Sequence, residues 1–275
     1  MTAGVYEVTV ERDLTYATVD DEDLRLDIYR PTSPGTPVVV YAHGGGWSTG
    51  DKGQDGSKRL APLAAYGVTV VSVDYRLAPR AVFPQQLHDL KGAVRWLRAH
   101  GPSLGLSTER IGMWGASAGA YLGSLLALSD SDRELEGAVG GNLDQPSAVQ
   151  AVVHWFGQTD LAASAARSEV EARLLPFRFE ADLLGTADPA QLADRAREFS
   201  LLTRVSPQAP PFLIVHGDRD RIVPPAEGFA LHDALARVGA QSRFELLAGA
   251  GHEDAEFDSP ANLATTAAWL RAVLR

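Results

Sequence analysis

The sequence predicts an α/β fold in which helices cover both faces of a mostly parallel central sheet. Short Val-rich runs such as PVVVYAH and VTVVSVDY are apolar without alternation, which is typical of strands buried on both faces. Between such runs lie segments whose apolar residues recur at helical spacing, for example LKGAVRWLRAH. Because strands and helices alternate along the chain, we expect parallel strands joined by crossover helices.

The predicted elements follow one another in a regular order. The alternating segment from Leu24 to Arg30 predicts an amphipathic strand near a sheet edge, and the two Val-rich strands and a helix follow it. Next come a strand in ERIGMWG, a small-residue helix in AGAYLGSLLALS and strands in VQAVVHWF and PFLIVHG. A helix in EGFALHDALARVG, a strand in SRFELLAG and a helix in NLATTAAWLRAVL close the chain.

One connection is too long for its place in this pattern. Residues Leu161 to Val205 lie between two strands and are rich in the helix-favouring residues Ala, Arg and Glu. We therefore predict a single domain, residues 1–275, with a small helical cap inserted at roughly 161–205.

Composition restricts the classes of function. The chain has 275 residues, 45% of them hydrophobic, and a formal net charge of −10, which argues against nucleic acid and anionic membranes as partners. It has no cysteine, so disulfides, thiol catalysis and cysteine-ligated zinc are excluded. The N-terminus lacks a signal-sequence pattern and the apolar runs are too short to span a bilayer. A cytoplasmic protein is expected, with monomer and homodimer both open.

A candidate nucleophile lies in WGASAG, where residues 115–119 match G-x-S-x-G. The motif follows a predicted strand and precedes a predicted helix, which is the setting of a sharp turn that exposes a serine hydroxyl. Ser117 is the serine of this motif, and Gly115 and Gly119 are expected to relieve the crowding around the turn.

A nucleophilic serine needs a histidine base and a carboxylate that orients it. His154 and His216 lie in predicted buried strands and His232 lies on a helix, so packing roles are favoured for all three. His252 follows the last strand in the glycine-rich loop LAGAGHED and is the candidate base. The segment LIVHGDRDRIVPP offers Asp218 and Asp220 as the acid, and spacing alone favours Asp220 only slightly.

Three glycines after the strand VVVYAH complete the pattern. A dinucleotide-binding motif would need glycine at Thr49, and Asp51 interrupts the phosphate-loop pattern between Gly50 and Lys52. An H-G-G-G loop after the third strand can instead aim backbone N–H groups at the oxyanion of an acyl-transfer intermediate.

Five motifs together resemble the hormone-sensitive-lipase-like branch of the α/β-hydrolases: HGGGW, DYRLAP, GASAG, HGDRDRIVP and GAGHE, in the order and spacing of that branch. The resemblance begins at about Tyr16, and HGGGWSTGDK and WFGQTDL are most similar to bacterial carboxylesterases of the feruloyl/acetyl esterase-like subgroup. It implies an α/β-hydrolase fold and a serine carboxylesterase that hydrolyses small, short-acyl esters without a metal or cofactor.

The resemblance also implies residue roles. It assigns Ser117 as the nucleophile, His252 as the base and Asp220 as the acid. The oxyanion donors would be the backbone amides of Gly45, Gly46 and Ala118, and Asp74 and Arg76 of DYRLAP would make structural hydrogen bonds.

The substrate is less well defined. Trp47, Tyr75 and Phe156 are predicted to line a substrate pocket together with the cap. Three alternative functions remain. One is an arylformamidase, although those relatives carry a bulkier residue at the place of Gly46. The second is a peptidase of the same fold, which would usually carry an extra domain or an acidic amine-binding motif that we do not find here. The third is a catalytically weak ligand-binding protein, which typically lacks the histidine found here as His252.

Overall fold

The central sheet is the frame of the molecule. The computed structural model describes residues 5–130, 132–165 and 179–275. The strands within these ranges are β1 (Val8–Val19), β2 (Glu22–Pro31), β3 (Val38–Ala42), β4 (Thr69–Val73), β5 (Ile111–Ala116), β6 (Ala151–Trp155), β7 (Phe212–Gly217) and β8 (Ser242–Leu247). They form one sheet in the order β1-β2-β4-β3-β5-β6-β7-β8. The strands from β3 onward are parallel, and β2 pairs antiparallel with both β1 and β4.

The sheet confirms each predicted strand and adds one. β1 lies outside β2, so the segment predicted near the sheet edge is the second strand from that edge. Most of β1 is exposed, and its pairing with β2 shifts register twice, so its sequence carries no clean alternation. The hairpin turns at Asp20 and Asp21, which both have positive φ, as a tight two-residue turn requires.

Helices cover both faces of the sheet. The α-helices within the described residues are α1 (Ala61–Ala65), α2 (Gln85–His100), α3 (Ala118–Leu128), α4 (Leu161–Ala165), α5 (Phe179–Leu184), α6 (Pro189–Glu198), α7 (Pro225–Arg237) and α8 (Pro260–Val273). Alternate residues of β3 point to opposite layers: Val38 and Val40 join the cluster that contains α2, α3 and α7, whereas Val39 and Tyr41 join the cluster that contains α1 and α8. The strands are therefore buried on both faces, as their uninterrupted apolar runs predict.

The long connection between β6 and β7 contains α4, α5 and α6. Residues 166–178, the middle of the predicted cap at 161–205, lie outside the described residues. After that gap the connection packs onto the rest of the chain, because Phe83 N donates to Leu183 O at 2.8 Å and Tyr121 Oη donates to Phe199 O at 2.9 Å. That the connection acts as a cap stays a prediction.

The parallel strands determine where chemistry can be concentrated. Their carboxyl ends lie at one edge of the sheet, and ligands of open α/β sheets bind in the crevice outside that edge. The loops that follow β3, β5, β7 and β8 all emerge there. They carry the glycine loop (residues 43–52, HGGGWSTGDK), Ser117, Asp220 and His252.

Candidate active site

Ser117 occupies a sharp turn between β5 and α3. Its backbone has φ 53° and ψ −120°, which is an unfavourable conformation for a residue with a side chain. A Cβ on Gly115 would overlap the carbonyl of Gly119, and a Cβ on Gly119 would overlap the carbonyl oxygen of Ala42. Close packing of backbone against backbone therefore requires glycine on both sides of Ser117, as the motif predicts.

The turn brings Ser117 to His252 and Asp220. Ser117 Oγ lies 3.0 Å from His252 Nε2, and His252 Nδ1 lies 2.7 Å from Asp220 Oδ2. Because a carboxylate only accepts, Nδ1–H donates to Asp220 and leaves Nε2 to accept the proton of the Ser117 hydroxyl. The three side chains come from three loops and make the contacts of a Ser–His–Asp triad.

Asp220 is buried and held by several donors. It is 5% exposed, and its second oxygen, Oδ1, accepts from the backbone N–H groups of Ile222 and Val223, each at 2.9 Å. Burial by itself would raise the pKa of Asp220, but the donors His216 and His252 outweigh burial and hold that pKa well below its ordinary value. Asp220 is therefore ionised and ready to orient His252.

The other acid and the other histidines make different contacts. Asp218 is exposed and accepts from Gly249 N at 2.7 Å. His154 Nδ1 lies 2.8 Å from Ser124 Oγ, whereas His216 Nε2 lies 2.8 Å from the carbonyl oxygen of Val223 and 3.5 Å from Asp220 Oδ2. The structure brings Asp220, and not Asp218, to His252, which is a choice that spacing alone leaves open.

The glycine loop passes directly beside Ser117. A Cβ on Gly44 would lie 3.2 Å from Ala116 O and 3.5 Å from Ser117 Cβ. Gly45 has φ +112° and Gly46 has φ +59°, and a Cβ on Gly45 would overlap the carbonyl oxygen of Thr49. The loop can therefore reach Ser117 in this conformation only without side chains at these positions.

The glycine loop is held by hydrogen bonds to two neighbouring segments, DYRLAP and the start of α3. His43 Nδ1 lies 2.7 Å from Gly44 O, and the ring of His43 stacks on Tyr75 with 4.3 Å between ring centroids. Tyr75 Oη donates to His43 O at 2.8 Å. Trp47 Nε1 donates to Ala118 O at 3.0 Å, which joins the loop to the first turn of α3. These bonds hold the glycine loop in register with the serine turn.

The DYRLAP segment makes the predicted structural hydrogen bonds. Asp74 Oδ1 accepts from Lys52 N at 2.8 Å, which fixes the far end of the glycine loop. Arg76 forms a bidentate pair with Asp89, with Nε–Oδ2 at 2.9 Å and Nη2–Oδ1 at 2.7 Å. Asp74 and Arg76 therefore stabilise the segments that surround the site.

The three aromatic residues predicted to line a pocket are almost completely buried. Trp47 and Phe156 are 0% exposed and Tyr75 is 3% exposed. Phe156, with φ 40°, has its ring 5.0 Å from the His252 ring in an edge-to-face contact. In this structure the rings of Trp47 and Tyr75 help to hold the glycine loop, and the ring of Phe156 packs against His252. A contact between any of these rings and substrate stays a prediction.

An aromatic residue that no sequence motif indicates, Phe179, lies next to the glycine loop. Two ring atoms of Phe179, in α5, lie 2.5 Å from the position that a Cβ on Gly46 would occupy. The ring of Phe179 is thus packed directly against Gly46. No local pattern predicts this contact, because the two residues lie 133 positions apart in the chain.

Replacing Gly45 by alanine is expected to lower kcat by about 10²–10³, which is the usual loss for one oxyanion donor. The new Cβ would overlap Thr49 O and force the loop away from Ser117. Gly239→Ala is the matched control: φ there is +77°, but no described atom lies within 4 Å of the added Cβ, so the variant shares the strain without the clash. Equal kcat values for Gly45→Ala and wild type would contradict this role for the loop.

No group of three or more His, Cys, Asp or Glu side chains in the described part of the chain could hold a metal ion. Within the same residues, no helix has the length and apolar character needed to cross a membrane.

Comparison with known proteins gives the family. The BD-FAE family model matches residues 26–235. The chain belongs to the BD-FAE family. This membership and the relatives named as esterases confirm the resemblance based on the five motifs.

Several relatives of this BD-FAE chain are named as esterases. Esterase LipC of Mycobacterium tuberculosis is 34% identical over 239 residues, which are 85% of this chain and 57% of LipC. Isoprenylcysteine alpha-carbonyl methylesterase of Arabidopsis thaliana is 27% identical over 263 residues, which are 91% of this chain and 58% of that protein. The chain spans about half the length of the curated relatives it matches.

Solved structures resemble the BD-FAE chain over nearly its whole length. A truncated carbohydrate esterase from gut microbiota has a TM-score of 0.84 at 25% identity, with 98% of this chain and 97% of that chain covered. Carboxyl esterase 2 of Tuber melanosporum has a TM-score of 0.76 at 25% identity, with 98% and 87% covered. The predicted α/β-hydrolase fold is confirmed.

Proposed function

We propose that this protein is a serine carboxylesterase that hydrolyses small carboxylic esters through an acyl-serine at Ser117. The observation that carries the proposal is the continuous chain of contacts from Ser117 Oγ to His252 Nε2 at 3.0 Å and from His252 Nδ1 to Asp220 Oδ2 at 2.7 Å. The esterase names of the relatives support the same reaction.

The reaction follows from the donors and acceptors at the site. Ser117 Oγ attacks the ester carbonyl while His252 Nε2 accepts the proton of the Ser117 hydroxyl. Asp220 stabilises the resulting imidazolium. His252 then donates this proton to the leaving alcohol, and a water activated by the same nitrogen hydrolyses the acyl-serine. The formation and the hydrolysis of the acyl-serine each pass through a tetrahedral intermediate with a negatively charged oxygen.

That oxyanion would be held by backbone donors. The amides of Gly45 and Gly46, in the glycine loop, and of Ala118, at the start of α3, are the proposed donors. The hydrogen bond from Trp47 to Ala118 O supports this assignment, because it ties the loop to the turn that carries the third amide. Backbone donors held in place before reaction stabilise the developing charge without reorganisation.

The segment 161–205 is proposed to cap the site and to favour short acyl groups. The contact between Phe179 and Gly46 supports a cap, since it lies at the glycine loop itself. The same contact supports the preference for esters over formamides, because the ring occupies the space that a bulkier residue 46 would need. A cytoplasmic location and the choice between monomer and homodimer stay predictions.

The test is hydrolysis of p-nitrophenyl esters from acetate to long-chain acyl groups, beside a feruloyl ester and N-formylkynurenine. We expect the highest kcat/KM on the shortest acyl groups and a loss of about 10⁶ in kcat for Ser117→Ala. A higher kcat/KM for N-formylkynurenine would assign the protein as an arylformamidase. Turnover of none of these compounds, with a folded protein, would favour a ligand-binding role.

A further inference from the structure

Arg59 is a fully buried cation outside the proposed triad. It is 0% exposed and lies in a single π-helical turn, Gly56–Leu60, that follows the glycine loop and leads into α1. A buried guanidinium is unfavourable unless several acceptors surround it. Short π-helical turns are often associated with functional sites, so the partners of Arg59 are informative.

Those partners come from three parts of the chain. Arg59 forms a bidentate pair with Asp258, with Nε–Oδ1 at 2.6 Å and Nη2–Oδ2 at 3.2 Å. Its Nη1 donates to Tyr41 Oη at 3.1 Å and to Asp55 Oδ2 at 3.4 Å, and Tyr41 Oη in turn donates to Asp55. The same Nη1 lies 3.6 Å from Glu253 Oε1. The guanidinium thus joins β3 and its own turn to residues near the C-terminus.

Glu253 and Asp258 both belong to the loop that carries His252, residues 248–259 between β8 and α8. Glu253 directly follows His252 and has φ 60°, and Lys58 Nζ also reaches Glu253 Oε1 at 3.2 Å. Cations of the π-helical turn therefore hold this loop one residue and six residues after His252. A loop fixed at these two points has little freedom to move His252 relative to Ser117.

Arg59 also supports the ring against which His252 rests. Its guanidinium carbon lies 5.3 Å from the Trp155 ring centroid and 6.0 Å from the Phe156 ring centroid. The Phe156 ring makes the edge-to-face contact with His252 at 5.0 Å and a closer one with Phe257 at 4.3 Å. One buried cation therefore contacts both the loop of His252 and the aromatic wall behind it.

We infer that Arg59 is a positioning residue that holds the His252 loop, and with it the imidazole, at hydrogen-bond distance from Ser117. The inference rests on the proposed function of the triad. Buried ion pairs add little to stability compared with apolar residues of the same volume, so a role in fixing geometry accounts better for a charge retained at this place. Misplacement of a catalytic group by about 1 Å lowers the rate by about 10².

The test compares Arg59→Met and Asp258→Asn with Glu136→Gln. The first removes the guanidinium at similar length, and the second keeps the shape of the loop residue but weakens the pair. Glu136→Gln is the matched control, because Glu136 pairs with the buried cations Lys91 and Arg95 on the connection between α3 and β6, away from the carboxyl ends of the strands. Asp258→Asn keeps the inference testable if Arg59→Met does not fold.

The readouts are kcat, KM, Tm and the rate at which a fluorophosphonate labels Ser117. We expect kcat and the labelling rate to fall together, by about 10² for Arg59→Met and by less for Asp258→Asn, with KM nearly unchanged. Glu136→Gln is expected to lower Tm without lowering either rate of the folded protein. Wild-type labelling rates in folded Asp258→Asn and Arg59→Met would overturn the inference.

The labelling rate also separates this inference from the proposed function. A fluorophosphonate reacts with an activated serine whether or not the natural substrate is an ester. A wild-type protein that is not labelled at Ser117 would contradict the triad itself. A wild-type protein that is labelled, with variants labelled equally fast, would contradict only the role of Arg59.

Discussion

Ser117→Ala is expected to lower kcat for ester hydrolysis by about 10⁶, which is the loss found when the serine of such a triad is removed. The physical reason is that, among the residues the structure describes, the Ser117 hydroxyl is the one that His252 Nε2 faces, at 3.0 Å. Fluorophosphonate labelling should disappear in the same variant. The measurement is single-turnover hydrolysis of p-nitrophenyl acetate together with mass analysis of the labelled peptide.

Ser124→Ala is the matched control for this prediction. Ser124 Oγ lies 2.8 Å from His154 Nδ1, so it too is a serine hydroxyl bonded to a histidine. Burial lowers the pKa of His154 to about 4, and its Nε2 faces the carbonyl oxygen of Gly157 at 3.0 Å instead of a carboxylate. We expect Ser124→Ala to lose about 1–3 kcal/mol of stability, because a buried partner is left unsatisfied, and to keep its labelling at Ser117. Labelling at Ser124 in the wild type would contradict the assignment of the nucleophile.

The strands could be predicted from sequence where burial was complete. β3 and β4 are buried at every position, and an apolar run without alternation is the direct signature of that burial. β1 could not be predicted in the same way, because most of its side chains are exposed and two register shifts break its period. Only the pair Asp20–Asp21, with both φ values positive, marks its hairpin, and Asp is a weaker signal there than Gly or Asn.

The site was predictable where its chemistry is local. Ser117 and the glycine loop lie in short motifs whose glycines are required by close backbone contacts, so the sequence itself carries the evidence. Arg59 and Phe179 were missed for the opposite reason. Arg59 meets Asp258 across 199 residues of chain, and Phe179 packs on Gly46 from another element altogether. Contacts of this kind depend on the completed fold and have no local pattern.

Asp220 could be predicted only in part. The motif contains two aspartates, and the conformation of the turn determines which of them faces His252. The N–H groups of Ile222 and Val223 bind Asp220 Oδ1 and leave Oδ2 to face His252. Asp218 instead accepts from Gly249 N on the exposed side of the same loop. Backbone N–H groups two and three residues after Asp220 therefore orient its carboxylate, and the spacing of the motif contains no information about them.

The free energy of unfolding is expected to depend on the ionisation of Asp220. Because His216 and His252 hold the pKa of Asp220 below its ordinary value of 3.8, the ionised group stabilises the folded state above that value. This contribution is lost as the pH falls below about 4 towards the lower pKa of the folded state. The difference in the free energy of unfolding between wild type and Asp220→Asn should therefore be largest near neutral pH and shrink in acid. Urea titrations at several pH values measure it.

Asp220→Asn is expected to lower kcat by about 10⁴ with little change in KM, the loss found when an amide replaces the acid of such a triad. An asparagine amide turned towards His252 donates instead of accepting, so the imidazole takes the tautomer that cannot accept the serine proton. Asp218→Asn is the control, since its side-chain oxygen can still accept from Gly249 N and it makes no contact with His252 within the described structure. If Asp218→Asn shows the larger loss of kcat, the acid of the triad is Asp218, and the contact between Asp220 and His252 serves the fold alone.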